Sequence, residues 1–486
     1  MPLSPIKITR ITWLIVNGLF LAFLIGLCSL PSQLHARQKT RPATKPTAME
    51  PILKVKLGST HKKLSVKFPD GGHILNSKGR RIKTFRKNGV FSWSLPASGK
   101  KGRSRIEHNG ETLSCRPGGS LLEFNGKRYR GHIEMRISAK GATVVNHVGL
   151  ESYLRGVVGS EIGSRSPAES IKAQTVIART YAYANRGKHG SDGADVCDST
   201  HCQVYSGVSA ERDSIDPAVV GTRGIVMISE GRPIETLYHA TCGGMTSDND
   251  KVFGGAPRSY LRRVVCPFCR EGINYRWTRS IGVNELRTAL RQEKIVFEQL
   301  RTAEIDSPSH MDRVTSLILN TNKGTFKIKG TTIRRLFNLP STTFVLAERR
   351  LPAGGIAALS EKPSEPYELP GRFVKAQIQS IESAGPPQMF ILTSHGLKRT
   401  TRPEKGWQVF VAAAQSAAAI KPAASRIMVR SPAAAVLTKL DLFGRGYGHQ
   451  VGLCQAGAIE LGKRDWSYRQ ILALYYSNVA LRSLDY

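Results

Sequence analysis

Between Tyr129 and Ser138 the chain alternates in polarity: Tyr129, Ile133, Met135 and Ile137 are apolar, with Arg130, His132, Glu134, Arg136 and Ser138 between them. A period of two predicts a half-buried β-strand. Lys140-Gly141 turns the chain into a second strand over 143–148. The period then lengthens. Leu154, Val157, Val158 and Glu161 fall at i, i+3, i+4 and i+7, predicting a helix over 152–162 that carries a carboxylate on its buried face. Ser166, Pro167 and Glu169 read as N-cap, first-turn proline and capping-box partner of a helix over 171–184, whose packing stripe is Ala173, Val176, Ile177, Thr180 and Ala184. Further strands are expected at 224–228, 235–239 and 316–319, and a last helix at 467–476. The predicted fold class is α+β: a mixed β-sheet domain with short helices, a cleft between its helical and sheet parts, and an inserted segment.

The ends of the chain add an address. Lys7 and Arg10 precede an apolar run from Ile11 to Leu30, so residues 1–36 form an export signal, either a peptide cleaved after Ala36 or an uncleaved membrane anchor. Cys28 follows Leu27, which argues against a lipoprotein signal. Residues 38–47 are rich in Lys, Arg, Thr and Pro without periodicity and read as a linker, the start of a basic, variable segment over 37–105. Residues 351–431, rich in Pro, Ala and Ser, read as an insertion with a small sheet of its own, including strand-like pieces at 373–378 and 389–392.

A net charge of +35 favours a polyanionic partner. Export removes the occasion to meet nucleic acid. Residues 51–110 carry fifteen Lys and Arg against Asp70 and Glu107, which points to anionic membrane lipids or wall polymers, or to a basic segment that is merely solvated.

The chemistry begins with Glu161. Desolvation on a buried helix face raises a carboxyl pKa, as a general acid for glycoside cleavage requires; a helix-end glutamate that reaches solvent, or pairs with Arg155 or Arg165, is the alternative. Cys197, His201 and Cys202, with His189 upstream, offer either a tetrahedral zinc site or a Cys197–Cys202 disulfide. Cys266-Pro267-Phe268-Cys269 is a redox pair, half of a second metal site, or a source of disulfide partners for Cys242 and Cys454; Cys115 has no evident partner. Gly243, Gly244 and the glycines around His449 suggest loops where backbone approaches a ligand closely, outside any phosphate-loop pattern.

Several blocks, in order, resemble one family. Residues 153–162 (YLRGVVGSEI), 168–174 (AESIKAQ), 178–182 (ARTYA), 201–205 (HCQVY), 238–244 (YHATCGG) and 446–458 (GYGHQVGLCQAGA) are similar to the stage II sporulation protein D family, which includes the LytB amidase enhancers. The likeness covers about 106–350 and from Val436 to the end. It implies a lytic transglycosylase of peptidoglycan glycan strands stripped of stem peptides, with Glu161 as catalytic acid and base and 1,6-anhydro ends as product. It implies substrate contacts at Arg179, Tyr181, Tyr205, His239, Gly243, Gly244, His449 and Gln455, and structural zinc on His189, Cys197, His201 and Cys202. It also favours a structural link among Cys242, Cys266, Cys269 and Cys454 over redox chemistry. The competing functions are a non-enzymatic glycan-binding enhancer of a cell-wall amidase, and a zinc amidase using His201 or His239.

Overall fold

Polar–apolar alternation begins soon after the expected 38–47 linker. In Ile52–Lys56 the side chains of Leu53 and Val55 are buried while Lys54 is exposed, and in Lys63–Phe68 Leu64, Val66 and Phe68 point inward. Most of the basic charge of this region therefore rides on the outer faces and turns of strands. Within the basic segment expected over 37–105, residues 52–94 carry strands: alternate side chains are buried in 52–56, 63–68 and 89–94, whereas in 81–85 only Phe85 is. The computed structural model describes residues 49–95, 108–306, 313–346, 389–393, 396–400, 427–430 and 437–486. Contacts divide the chain into Met1–Thr47 and Ala48–Tyr486. The export signal and the 38–47 linker lie outside the described residues, as does the strand expected at 373–378.

A seven-stranded sheet runs in the order 196–197, 52–56, 141–149, 132–138, 112–117, 72–75, 81–85. A four-stranded sheet of 89–94, 63–68, 121–124 and 127–130 shares one core with it, in which Leu53, Val55, Ile133 and Met135 meet Leu64, Val66, Leu122 and Tyr129. The strand expected from Tyr129 is interrupted at Gly131, whose φ of +76° ends one strand at Arg130 and starts the next at His132. A second core lies among the strands 276–282, 300–306, 316–321, 324–329, 344–346 and 439–445 with the helices Val283–Leu290 and Gly330–Leu336. Within the expected insertion, Met389–Thr393 and Gly396–Thr400 pair as a hairpin, while Ile427–Arg430 joins the 300–306 strand.

Two helices sit beside the sandwich. Helix α1, Leu150–Glu161, buries Leu150, Tyr153, Leu154, Val157 and Val158 in the sandwich core. Helix α2, Ala168–Ala184, is buried nearly all round from Ser170 to Ala182, not along one stripe, and Ala184 is exposed. It touches α1, the short helix Asp216–Gly221, the strand Ile225–Ser229 and the helices Gln455–Lys463 and Tyr468–Tyr475. The expected capping box at its start is absent. Pro167 occupies the N-cap without a side-chain hydrogen bond, and Glu169 instead pairs with Lys172 and accepts the backbone N–H of Tyr468. The capping box lies at the last helix, where Ser467 and Gln470 satisfy each other's backbone N–H groups.

The joint between α1 and α2 is an ion pair. Arg179, with none of its surface exposed, donates from Nε and NH2 to the two carboxylate oxygens of Glu151 at 2.8 and 2.6 Å, and also reaches the carbonyls of Val219 and Ile225. Glu151 further accepts the N–H of Gly224 and the hydroxyl of Tyr486. Burial pushes its carboxyl up, but these donors, Arg179 foremost, outweigh that and hold it below its ordinary value. A depressed carboxyl pKa stabilises the fold above the ordinary carboxylate range and ceases to do so as pH falls through the folded value. Arg179→Ala leaves a buried carboxylate unpaired and is expected to cost about 3–5 kcal/mol. Urea denaturation at neutral pH checks this, and a loss under about 1 kcal/mol would show that the pair does not hold the helices together.

Candidate functional site

Glu161 closes α1 one turn beyond the buried Val157 and Val158, so its carboxyl is half-buried and aimed back toward the fold. The loop that meets it owes its path to two glycines. A Cβ on Gly156 would stand 2.6 Å from the Tyr205 ring, and one on Gly159 2.7 Å from the Ala210 carbonyl. Glycine inside a helix costs about 1 kcal/mol relative to alanine, and here it admits the 203–210 segment flat against α1. That approach lets the N–H of Val204 donate to Glu161 Oε1 at 2.9 Å.

A chain of side chains ends on the same carboxyl. Tyr153 donates its hydroxyl to Gln203 Oε1 at 3.1 Å, Gln203 Nε2 donates to the Tyr238 hydroxyl at 3.4 Å, and Tyr238 in turn bonds Glu161. Every donor points toward Glu161. Burial raises the Glu161 pKa, opposed by the Val204 N–H and by Tyr238. Among the described residues the groups acting on it include no second carboxylate and neither Arg155, which pairs with Asp216, nor Arg165. Gln455 donates from Nε2 to the Glu161 backbone carbonyl at 3.0 Å, thereby tying the helix end to the helix Gln455–Lys463. Beside it opens a cleft of about 610 Å³ whose walls include Ser160, Ile162, Arg165, Ser209, Arg212 and Lys463; the Glu161 side chain is not part of that wall.

The other expected substrate contacts have partners of their own elsewhere in the fold. Arg179 is corrected: its guanidinium is enclosed by Glu151 and carries a structural load, because a buried cation takes the nearest anion. Tyr205 is likewise a core residue, its hydroxyl donating to Asn146 Oδ1 at 2.9 Å and its ring packed on Tyr129 and Tyr153. The Tyr181 hydroxyl accepts from Lys188 Nζ beside the Cys202 thiol. His239 follows Tyr238 in a strand, so it faces the opposite way and meets His449 at 5.7 Å between ring centroids. The Nδ1 of His239 donates to the Val451 carbonyl, and the Nδ1 of His449 accepts the Val451 N–H. Burial lowers the two imidazoles to about 4 and about 3, so both are neutral near pH 7. Gly243, at φ +73°, packs against the backbone of Gly446, and Gly244, at φ +108°, against Tyr275; the close approach there is to this chain's own loops.

His189, Cys197, His201 and Cys202 converge, with their donor atoms all within 4.8 Å of one another. His189 Nε2 lies 3.3 Å from Cys202 Sγ, and His201 Nδ1 lies 3.6 Å from both thiols. Tetrahedral zinc bonds of about 2.3 Å to sulfur and 2.0–2.1 Å to nitrogen set an S···N edge of about 3.5 Å, so this donor set fits that ion. Both thiols are free rather than joined. Cys202 leads directly into Gln203 and Val204. Sequence patterns did not single out Tyr153, Gln203 or Tyr238; Tyr238 stands one residue from His239 in a recognised block, and only the side-chain directions in the folded chain separate their roles.

Residues 138–228 match the family described as stage II sporulation protein. The chain is 31% identical over 224 residues, 46% of its length, to an uncharacterized protein of Brachyspira hyodysenteriae, and 28% identical over 215 residues to the stage II sporulation protein D of Bacillus amyloliquefaciens. It spans about three fifths of the length of each of these relatives. A protein of Bacillus subtilis named amidase enhancer is 26% identical over 394 residues, 79% of this chain and 49% of that protein. The matched segment contains both α1 with Glu161 and the loop that delivers Val204, so it is in this segment that the chain is similar to the stage II sporulation protein D and amidase enhancer proteins.

Proposed function

We propose that this protein acts on the bacterial cell wall outside the cytoplasm as a lytic transglycosylase of peptidoglycan glycan strands, with Glu161 as acid and base. The observation that carries the proposal is the burial of Glu161, which raises its pKa while two donors keep the carboxylate accessible as a second state. A protonated Glu161 gives its proton to the glycosidic oxygen as the C1–O4 bond breaks. The resulting carboxylate takes the proton of the substrate's own 6-hydroxyl as that oxygen bonds to C1, closing a 1,6-anhydro ring. The nucleophile belongs to the substrate, so one carboxyl suffices where paired-carboxylate glycosidases need two.

A second function, glycan binding that stimulates a cell-wall amidase, is favoured by the span of the likeness to the amidase enhancer. Glu161→Gln separates the two. Denuded glycan treated with the wild type is expected to yield anhydro ends by mass spectrometry, and the variant is expected to lose at least about 10²-fold in rate. Undiminished cleavage by the variant would remove Glu161 from the mechanism, and absence of cleavage by the wild type, with stimulation of an amidase, would establish the enhancer.

Tyr238→Phe tests the donor chain. Removing a hydrogen bond to the anion destabilises the charged form, so the Glu161 pKa rises further and the alkaline fall in activity moves to higher pH, by about one pH unit for a charge-assisted bond. A profile that keeps its alkaline limb while kcat falls would assign Tyr238 to packing alone.

Zinc on His189, Cys197, His201 and Cys202 is proposed as a structural ion. Two thiolates and two imidazoles fill a tetrahedral shell and leave no position for a reactive water, so a zinc-amidase mechanism is disfavoured. The ion would order the turn that feeds Gln203 and Val204 to Glu161. Cys197→Ser and Cys202→Ser are expected to lose one zinc equivalent in elemental analysis and to lower melting temperature and activity together, with anhydro ends as the residual product. A Cys197–Cys202 disulfide found by alkylation and mass spectrometry would replace the ion.

A further inference from the structure

Four more cysteines meet in the core, far apart in sequence. Cys242, Cys266, Cys269 and Cys454 have none of their surface exposed, and their sulfur atoms all lie within 4.8 Å of one another, with Cys242 and Cys269 at 3.4 Å. We infer that these four thiols form a second, tetrathiolate zinc site, independent of the His189/Cys197/His201/Cys202 cluster and of the proposed glycan chemistry.

The geometry of the donors argues for an ion. Four Zn–S bonds of about 2.3 Å place the sulfurs at tetrahedral corners about 3.8 Å apart, every one equally near the other three. A disulfide needs about 2.05 Å between two sulfurs and draws them away from any others, so a pair of disulfides gives no reason for four-way convergence. Cys266-Pro267-Phe268-Cys269 forms a single 3₁₀ turn, a spacing that brings two thiols to one side. Cys242 comes from the loop after the strand Tyr238–His239, and Cys454 ends the strand Leu453–Cys454 that pairs with it. Three separate segments thus supply one centre.

The surroundings suit the two negative charges that a tetrathiolate zinc retains once each thiol has released its proton to water. Cys454 Sγ accepts the N–H groups of Cys242 and Gly457 at 3.3 and 3.4 Å. It does so as N-cap of the nine-residue helix Gln455–Lys463, whose positive end faces the cluster. The Tyr475 hydroxyl lies 3.1 Å from Cys266 Sγ. A Cβ on Gly457 would fall 2.7 Å from that same sulfur, so the helix is glycine where it passes closest to the centre. Soft sulfur donors suit zinc, and a shell without an open position gives it a structural role, tying the strand Leu453–Cys454 to the strand that carries Tyr238 and His239.

The test is zinc stoichiometry and cobalt spectroscopy on the full chain. The Cys197→Ser/Cys202→Ser double variant is expected to retain one equivalent of zinc, and cobalt exchanged into it should give the d–d and thiolate charge-transfer bands of a tetrathiolate site. In the otherwise native chain, Cys242→Ser is expected to lose one equivalent while the two-thiolate, two-imidazole cobalt signature persists. Should Cys242→Ser fail to fold, the count in the wild type decides, two equivalents supporting the site. A double variant without zinc, iron in place of zinc, or disulfides among Cys242, Cys266, Cys269 and Cys454 on alkylation under non-reducing denaturing conditions would each overturn it.

Discussion

The buried pair of Glu151 and Arg179 is the constraint on which the site's geometry depends. Glu151 lies in the first turn of α1 and Glu161 in its last, so the direction of the helix, and with it the position of the Glu161 carboxyl, follows from how Glu151 is held. Desolvating a carboxylate and a guanidinium is unfavourable unless the remaining hydrogen-bonding capacity is filled. Here Val219, Thr222, Gly224, Ile225 and Tyr486 fill it, which joins α1 and α2 to the Ile225–Ser229 strand and its partner Ala480–Ser483. Salt bridges of this kind fix arrangement more than they add stability.

Around Glu161 two opposing effects are balanced. Burial at the end of an apolar helix face favours the neutral acid, while the Val204 N–H and the Tyr238 hydroxyl favour the anion. The acid–base role proposed for Glu161 would benefit from this balance, since a group that gives and then accepts a proton works best when neither form is strongly preferred. The backbone donor comes from the loop that leaves His201 and Cys202, and the hydroxyl donor comes from the strand that leads to Cys242. The two thiol-containing clusters therefore stand immediately beside the two segments that tune the carboxyl. Donors of this kind lose strength steeply with misalignment, so the positions of the two segments matter to the carboxyl.

What the chain determined by itself is local. The period of two from Ile133 to Ser138, the i, i+3, i+4, i+7 spacing of Leu154 to Glu161 and a last helix near 467–476 follow from neighbours in sequence, and these elements are present, whereas the capping box expected before the 171–184 helix and an unbroken strand from Tyr129 are not. Glu161 was legible because a carboxyl on an apolar face conflicts with its surroundings. The N-terminal strands from Ile52 were obscured because lysine density masks alternation whenever every second residue is basic.

Tertiary structure decided the rest. Arg179 reads in sequence as a conspicuous cation in a recognised block, and only the fold sets Glu151 against it. Tyr238 and His239 are adjacent, yet the strand turns one toward Glu161 and the other toward His449. Cys242 and Cys454 lie more than two hundred residues apart, and no spacing rule reaches that far; a β-bridge between Tyr238–His239 and Leu453–Cys454 brings them together. Sequence spacing fixes side-chain direction only within one helix or strand, whereas which surfaces meet depends on burying the apolar faces of all elements at once.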